Sequence, residues 1–252
     1  MSLSCAKETV GNGDVVRFGR TEDAYDNFAG LLKDLIKRHG CLTVADVGGG
    51  AEPQLTVEEV KAMALDYTLV DISAGELELA PAGFRKLVMD IAGPLPDGRK
   101  GYDLLFSRFV MEHVRDAAQA HENVYALLKP GGIAVHFFPT LYALPFLINK
   151  LLPESLSVRF LSKKRQERGK FPAYYHWCVG PSDEAVKRFE RMGYKVVEYS
   201  GFYGHGYYDR VPLLRNWQRL VRDLLLRFRV VSGTSFAWVV LQKPLESRVD
   251  GA

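Results

Sequence analysis

The sequence predicts an α/β protein built on a doubly wound, mostly parallel sheet, and three observations carry that expectation. Short apolar runs end in an acid at Val44-Ala45-Asp46, Val70-Asp71 and Met89-Asp90. Segments of helical period alternate with them. Three glycines, Gly48-Gly49-Gly50, follow the first run. A loop without Cβ atoms can turn sharply and let a ligand touch its backbone, while an acid at the strand end can orient that ligand.

Residues 1 to 20 show little periodicity and receive no role. From Thr21 onward, Phe28, Leu31, Leu32, Leu35 and Ile36 recur at helical spacing, and His39-Gly40 reads as a C-cap. A strand is expected from about Cys41 to Val47, and Pro53 suits the first turn of a helix running towards Ala64. Tyr67 to Asp71 is a second strand whose acid stands 21 residues after Gly50, a spacing that suits a carboxylate reaching ribose hydroxyls. Phe84 to Asp90 and Tyr102 to Ser107 are the third and fourth strands. Ala117 to Leu128 is a helix, Lys129-Pro130-Gly131-Gly132 a tight turn, and Ile133 to Phe138 a buried fifth strand.

Beyond Pro139 the pattern loosens. Leu141 to Leu152 is apolar, interrupted by Pro145 and ended by Pro153; Lys163-Lys164-Arg165 is basic; Phe171 to Trp177 is aromatic. This stretch reads as an insertion over the sheet. Ser182 N-caps a helix to Met192, Tyr194 to Tyr199 is a strand, and Gly201 to Gly206 is an aromatic, glycine-rich loop. Val211 to Val231 is amphipathic, with leucines, Trp217 and Phe228 interleaved with arginines, and Ser235 to Leu241 is the final strand. For the amphipathic helix the favoured expectation is an apolar stripe packed on the domain with a solvated arginine face. Contact with phosphates or an anionic lipid surface is the alternative.

Composition bounds the function. With 252 residues, 47% hydrophobic and 25% charged, the chain is ordinary for one globular domain. Cys5, Cys41 and Cys178 lie far apart without CxxC spacing, against a disulfide framework or a zinc site, and a reduced, cytoplasmic setting is expected. No apolar run of roughly 18 residues occurs, so membrane spanning is not expected. Between Leu141 and Ser232 there are 17 Lys or Arg against 8 Asp or Glu; that net +9 leaves −6 for the rest of a chain at +3. The two regions should face different partners.

The order of these motifs resembles the class I S-adenosylmethionine-dependent methyltransferases, in particular the small-molecule group called type 11, over about Leu42 to Phe138. Asp46-Val47-Gly48-Gly49-Gly50 is similar to their first motif, Val70-Asp71-Ile72-Ser73 to the second and Met89-Asp90-Ile91 to the third. Tyr102 to Ser107 with Glu112-His113-Val114 resembles the fourth, and Leu127 to Gly132 the turn before the fifth strand. The resemblance implies a Rossmann-like, seven-stranded sheet with an antiparallel last strand and a lid. It also implies S-adenosylmethionine as cofactor, held by Asp46, Gly48, Gly49, Gly50, Asp71, Ile72, Asp90, Ile91, Ser107 and Arg108. Asp46 would orient the methionine amino group, Asp71 pair with ribose hydroxyls and Asp90 accept from the adenine amino group. One domain then spans 1–252, with an N-terminal helix at 21–40, a cofactor-binding half at 41–138, lid insertions at 139–180 and 201–232, and the last strand at 233–242.

Glu52-Pro53 departs from the family, which has a glycine there; Glu52 is expected to cap the following helix. The same departure weakens a dinucleotide-binding reading, since Gly48-x-Gly50-x-x-Pro53 lacks its final glycine. His113, His176 and His205 are the candidate catalytic residues, His176 and His205 because they lie in segments expected to cover the pocket. His136 reads as a core residue, and Tyr174, Tyr175, Tyr203, Tyr207 and Tyr208 as a packed lid. The fourth motif lacks the Asn-Pro-Pro-Tyr or Asp-Pro-Pro-Tyr run of adenine methylation, which disfavours a nucleic-acid partner. The expected activity is methyl transfer to O or N of a small-molecule or lipid-linked acceptor, in a protein that is cytoplasmic or peripheral to a membrane. The other reading is a non-catalytic, cofactor-binding scaffold whose basic lid engages a partner.

Overall fold

A computed structural model describes residues 15–96, 101–141, 172–205 and 212–245, and in it eight strands form one sheet between two helical layers. Along the chain come β1 (Val16–Arg20), α1 (Thr21–His39), β2 (Thr43–Val47), α2 (Val57–Ala62), β3 (Asp66–Asp71), α3 (Ala74–Leu79), β4 (Arg85–Val88) and β5 (Tyr102–Arg108). A 3₁₀ turn (Met111–His113), α4 (Ala117–Leu127), β6 (Leu128–Pro139), α5 (Asp183–Arg191), β7 (Lys195–Tyr203), α6 (Pro212–Arg227) and β8 (Phe236–Gln242) follow. The order across the sheet is β1-β7-β8-β6-β5-β2-β3-β4. β8 is antiparallel to both neighbours and every other pair is parallel. Seven carboxyl ends therefore share one edge. The chain winds outward in opposite directions from β2 and β5, and that switch point is where open α/β sheets hold ligands.

The sheet has eight strands rather than seven. The addition is β1, whose Val16 to Arg20 pair in parallel with Tyr199 to Tyr203 of β7. Its sequence has no strong alternation; the ladder, not intrinsic preference, makes it a strand. β7 in turn runs on to Tyr203, so Gly201 to Tyr203 is sheet and not the start of a loop. Lys129 to Gly132 is not a turn between elements but a bulge within β6, where Gly131 N donates to the Lys243 carbonyl and Lys243 N to that of Gly132. The helix after the glycine loop starts later than Pro53 and is not capped by Glu52. Thr56 Oγ1 accepts from Glu59 N while the Glu59 carboxylate accepts from Thr56 N, a capping box.

Each face of the sheet has its own core. On one, α1 buries Ala24, Phe28, Leu32, Leu35 and Ile36 against Val44, Phe106, Phe137 and Trp238. Gly40 closes α1 in the left-handed conformation, as its sequence indicates. On the other face Ala120, Val124 and Leu127 of α4 and Ala185 and Phe189 of α5 pack on Ala45, Leu105, Ala134 and Val239. The described end of the aromatic insert joins this second core: Tyr174 and Tyr175 N donate to the Glu112 carbonyl, and Trp177 stacks on His121 at 5.3 Å. The Leu141 to Leu152 segment beyond its first residue, Lys163-Lys164-Arg165, Phe171, Tyr207 and Tyr208 lie outside the described residues.

α6 meets its expected orientation only in part: Val221 and Leu225 are half-buried, with Leu225 against Gly233, and Arg219, Arg227 and Arg229 are exposed, but four apolar residues of the stripe face outward. Trp217, Leu220, Leu224 and Phe228 are 56%, 61%, 46% and 70% exposed, whereas the Arg222 side chain is only 13% exposed and pairs with Glu22 and Asp223. The arginine is drawn inward by the acid at the start of α1 and by the space over Gly204, where its Cδ would lie 3.1 Å from an added Cβ. Among the described residues no helix is long and apolar enough to cross a membrane.

Candidate cofactor site

At the switch point lies a cleft of about 350 Å³, lined by Asp46, Gly48, Gly49, Gly50, Ala51, Glu52, Gln54, Asp71, Glu76, Arg108 and Phe109. That volume is in the range of small-molecule sites. The glycines are required by space. A Cβ on Gly48 would lie 2.2 Å from Val110 Cγ2, with φ at +75°, and one on Gly49 would meet the Asp46 carboxyl carbon at 2.7 Å. The loop backbone is thereby seated directly on the acid that ends β2.

Asp46 is buried, and its Oδ2 accepts from Gln54 N at 3.0 Å and from the Tyr67 hydroxyl at 2.7 Å. Burial pushes its carboxyl up to about 6, against the pull of those two bonds. Asp71, half-buried at the end of β3, is also raised by burial; its Oδ1 accepts from Ser73 N at 2.9 Å. With Glu52 and Glu76 they make four carboxylates around the cleft. Arg108 is the one cation lining it among the described residues. Its Nη1 donates to Gln54 Oε1 at 3.0 Å, and its guanidinium lies 5.4 Å from the Tyr25 ring centre and 5.2 Å from that of Phe109. Phe109 holds a left-handed φ of 58°, a strained conformation of the kind found beside functional sites.

The structure brings Asp46, Gly48, Gly49, Gly50, Asp71 and Arg108 of the expected set into one cleft and leaves four outside its lining. Ile72 is exposed. The exposed Asp90 turns its Oδ1 to Ala92 N at 2.9 Å, and Ile91 is a core residue. Ser107 is fully buried, its Oγ 2.8 Å from His136 Nδ1. His136 is a core histidine as expected, held down at about 4 by burial and 5.0 Å ring to ring from His121.

None of His113, His176 and His205 lines the cleft. His113 Nδ1 lies 2.8 Å from the Pro172 carbonyl and His176 Nδ1 2.6 Å from that of Arg115, so each fastens a loop. The His205 carbonyl accepts from Gln218 Nε2 of α6. Glu52, Gln54, Glu76, Phe109 and the supporting Tyr67 were not anticipated as site residues. Glu76 carried a local signal, standing five residues after Asp71 behind the Ser73 cap of α3; the others depend on how the loop folds back.

Residues 45–136 match the methyltransferase domain family. No curated protein sequence matches the chain. Among solved structures, the [4+2]-cyclase SpnF is 15% identical with a TM-score of 0.54, covering 94% of this chain and 85% of that one. An S-adenosylmethionine-dependent methyltransferase from Archaeoglobus fulgidus is 17% identical with a TM-score of 0.51, covering 88% and 97%. The N-methyltransferase NodS from Bradyrhizobium japonicum, solved with S-adenosylhomocysteine, is 12% identical with a TM-score of 0.50, covering 87% of each. Likeness at these identities defines the fold, and a cyclase among them shows that the fold alone does not choose a reaction. The chain thus carries a methyltransferase-domain match over residues 45–136, on a fold shared with S-adenosylmethionine-dependent methyltransferases.

Proposed function

We propose that this enzyme methylates an oxygen or nitrogen of a small-molecule or lipid-linked acceptor that enters at the carboxyl edge of the sheet, in a cytoplasmic setting. The cleft carries the reading: four carboxylates, one guanidinium and a glycine loop with no room for side chains suit a ligand with two cationic centres, a carboxylate and a ribose. S-adenosylmethionine has that chemistry, and when bound it supplies a sulfonium methyl for in-line displacement. Asp46 would take its ammonium, Asp71 its ribose hydroxyls and Arg108 its carboxylate, while the backbone of Gly49 and Gly50 borders the chain between them. Asp90, outside the cleft lining, carries no role in this proposal.

Alignment of nucleophile, methyl and sulfur can lower such a barrier by roughly 7–11 kcal/mol. A general base adds about 10²–10⁴-fold only where the acceptor must lose a proton. With His113 and His176 bonded to loop carbonyls and none of the three candidate histidines lining the cleft, the reading rests on alignment. Titration calorimetry with S-adenosylmethionine and its demethylated product should give micromolar affinities. Absence of both heat and thermal shift with either ligand would sink the proposal. Labelled cofactor with a fractionated extract, read by product mass, identifies the acceptor.

A further inference from the structure

Trp217, Leu220, Leu224 and Phe228 follow one another at spacings of three and four residues, which places them on one stripe of α6 and its last turn. All four are exposed, while the side turned to the domain holds half-buried Val221 and Leu225, the latter against Gly233, together with Gln218 and Arg222 in polar contacts with His205 and Glu22. A helix that only had to face water would be turned the other way. The charge around the stripe has one sign. Residues 212–231 contain five arginines and one acid, Asp223; Arg219, Arg227 and Arg229 are exposed, and Asp223 is tied to Arg222 and Arg20.

We propose that this face docks on a bilayer surface bearing anionic headgroups. Aromatic and leucine side chains on one side of a helix, with arginines beside them, suit the boundary between headgroups and acyl chains. A second copy of the chain fits less well, because a twofold interface would set the exposed arginines against one another. Nucleic acid fits less well too: the flanking arginines could reach its phosphates, but the leucines and Phe228 between them would gain no apolar surface to be buried against.

The position of the helix ties docking to the active site. Arg222 reaches Glu22 and lies against Gly204, just past the carboxyl ends of β1 and β7, on the edge that also holds the cleft. The first turns of α1 span both places, with Glu22 on α6 and Tyr25 against Arg108. A docked helix therefore brings this edge to the membrane, where a lipid-linked acceptor would be met. That consequence rests on the methyltransferase reading; the docking does not.

The test uses the full chain with vesicles of phosphatidylcholine alone or mixed with phosphatidylglycerol. Sedimentation should favour the anionic vesicles by at least about tenfold and weaken with salt. Trp217 emission should shift to the blue and be quenched by lipids brominated in the acyl chain, since Trp238 is buried and Trp177 packed. Leu220→Ser with Leu224→Ser should lower partitioning by at least about tenfold and leave cofactor affinity unchanged. No sedimentation with anionic vesicles overturns the proposal. So does a double variant that melts or loses cofactor binding, which makes the stripe part of the folded core, and so does a wild-type dimer that the double variant dissolves. Vesicle binding without cofactor heat supports docking while removing the methyl-acceptor consequence.

Discussion

Two aspartates on neighbouring strands, Asp46 at the carboxyl end of β2 and Asp103 at the amino end of β5, are treated in opposite ways. Asp103 Oδ2 accepts from Leu42 N at 3.0 Å and from Thr43 N and Thr43 Oγ1 at 2.8 Å, and its Oδ1 accepts from Lys129 Nζ at 2.9 Å. Burial raises its carboxyl, but those bonds win and hold it at about 2. Asp46 has two hydrogen bonds, both on one oxygen, and burial prevails. The amino edge spends its carboxylate on closing β2 against β5. The carboxyl edge leaves one with both hydrogen bonds on a single oxygen, and its burial in ionised form costs the fold stability.

The largest effect should come from filling the loop on the Asp46 side. Gly48→Ala puts a methyl 2.2 Å from Val110 at a left-handed φ, and cofactor affinity by calorimetry should fall by more than about a hundredfold. Gly30→Ala, on α1 with nothing within 4 Å of the new methyl, is the control and should raise stability by up to about 1 kcal/mol. If both variants bind alike, the cradle is not where the cofactor sits.

Next comes the pH response of Asp46. Its folded pKa is raised, so the ionised form weighs against the fold above about 6, and the apo protein should gain on the order of 3 kcal/mol from this group as pH falls from 6 towards 4. Cofactor binding needs the carboxylate and should run the other way, weakening about tenfold per pH unit below 6. Asp46→Asn should bind weakly at every pH and lose that slope. A flat affinity profile from pH 7 to 5 in the wild type would remove Asp46 from the ammonium site.

The smallest effect belongs to the amino edge. The folded pKa of Asp103 is lowered, so its contribution is present above the unfolded value near 4 and is lost as pH falls through 2. Asp103→Asn should cost about 2 kcal/mol in urea unfolding at pH 7 and leave cofactor affinity within about twofold. A large loss of affinity would couple the two edges and erase the contrast between them.

Some of this was legible in the chain because it is local. The period of α1, the Ser182 cap of α5, the acids ending β2 and β3, and the glycine triplet each depend on neighbours within a few residues. Glu52-Pro53, which broke the family pattern, proves to be part of an irregular loop: Glu52 lines the cleft and Thr56 does the capping. Asp90 and Ser107 carry the right chemistry at the right spacing, yet one bonds its own turn and the other His136. His113 and His176 read as chemistry because histidine can do chemistry; the carbonyls of Pro172 and Arg115 that fasten them are far away in sequence.

By itself the sequence determined the alternating α/β class, the glycine loop and the two acids beside it, since hydrophobic period and steric need are written residue by residue. Only the tertiary structure decided that β1 joins the sheet, that Gln54, Glu76 and Phe109 share the cleft with Arg108, and that α6 turns Trp217, Leu220, Leu224 and Phe228 outward. The reason is physical. A helix pattern fixes which residues share a face, but which face meets the domain is set by the partners it finds, and for α6 those were Glu22 and the His205 carbonyl.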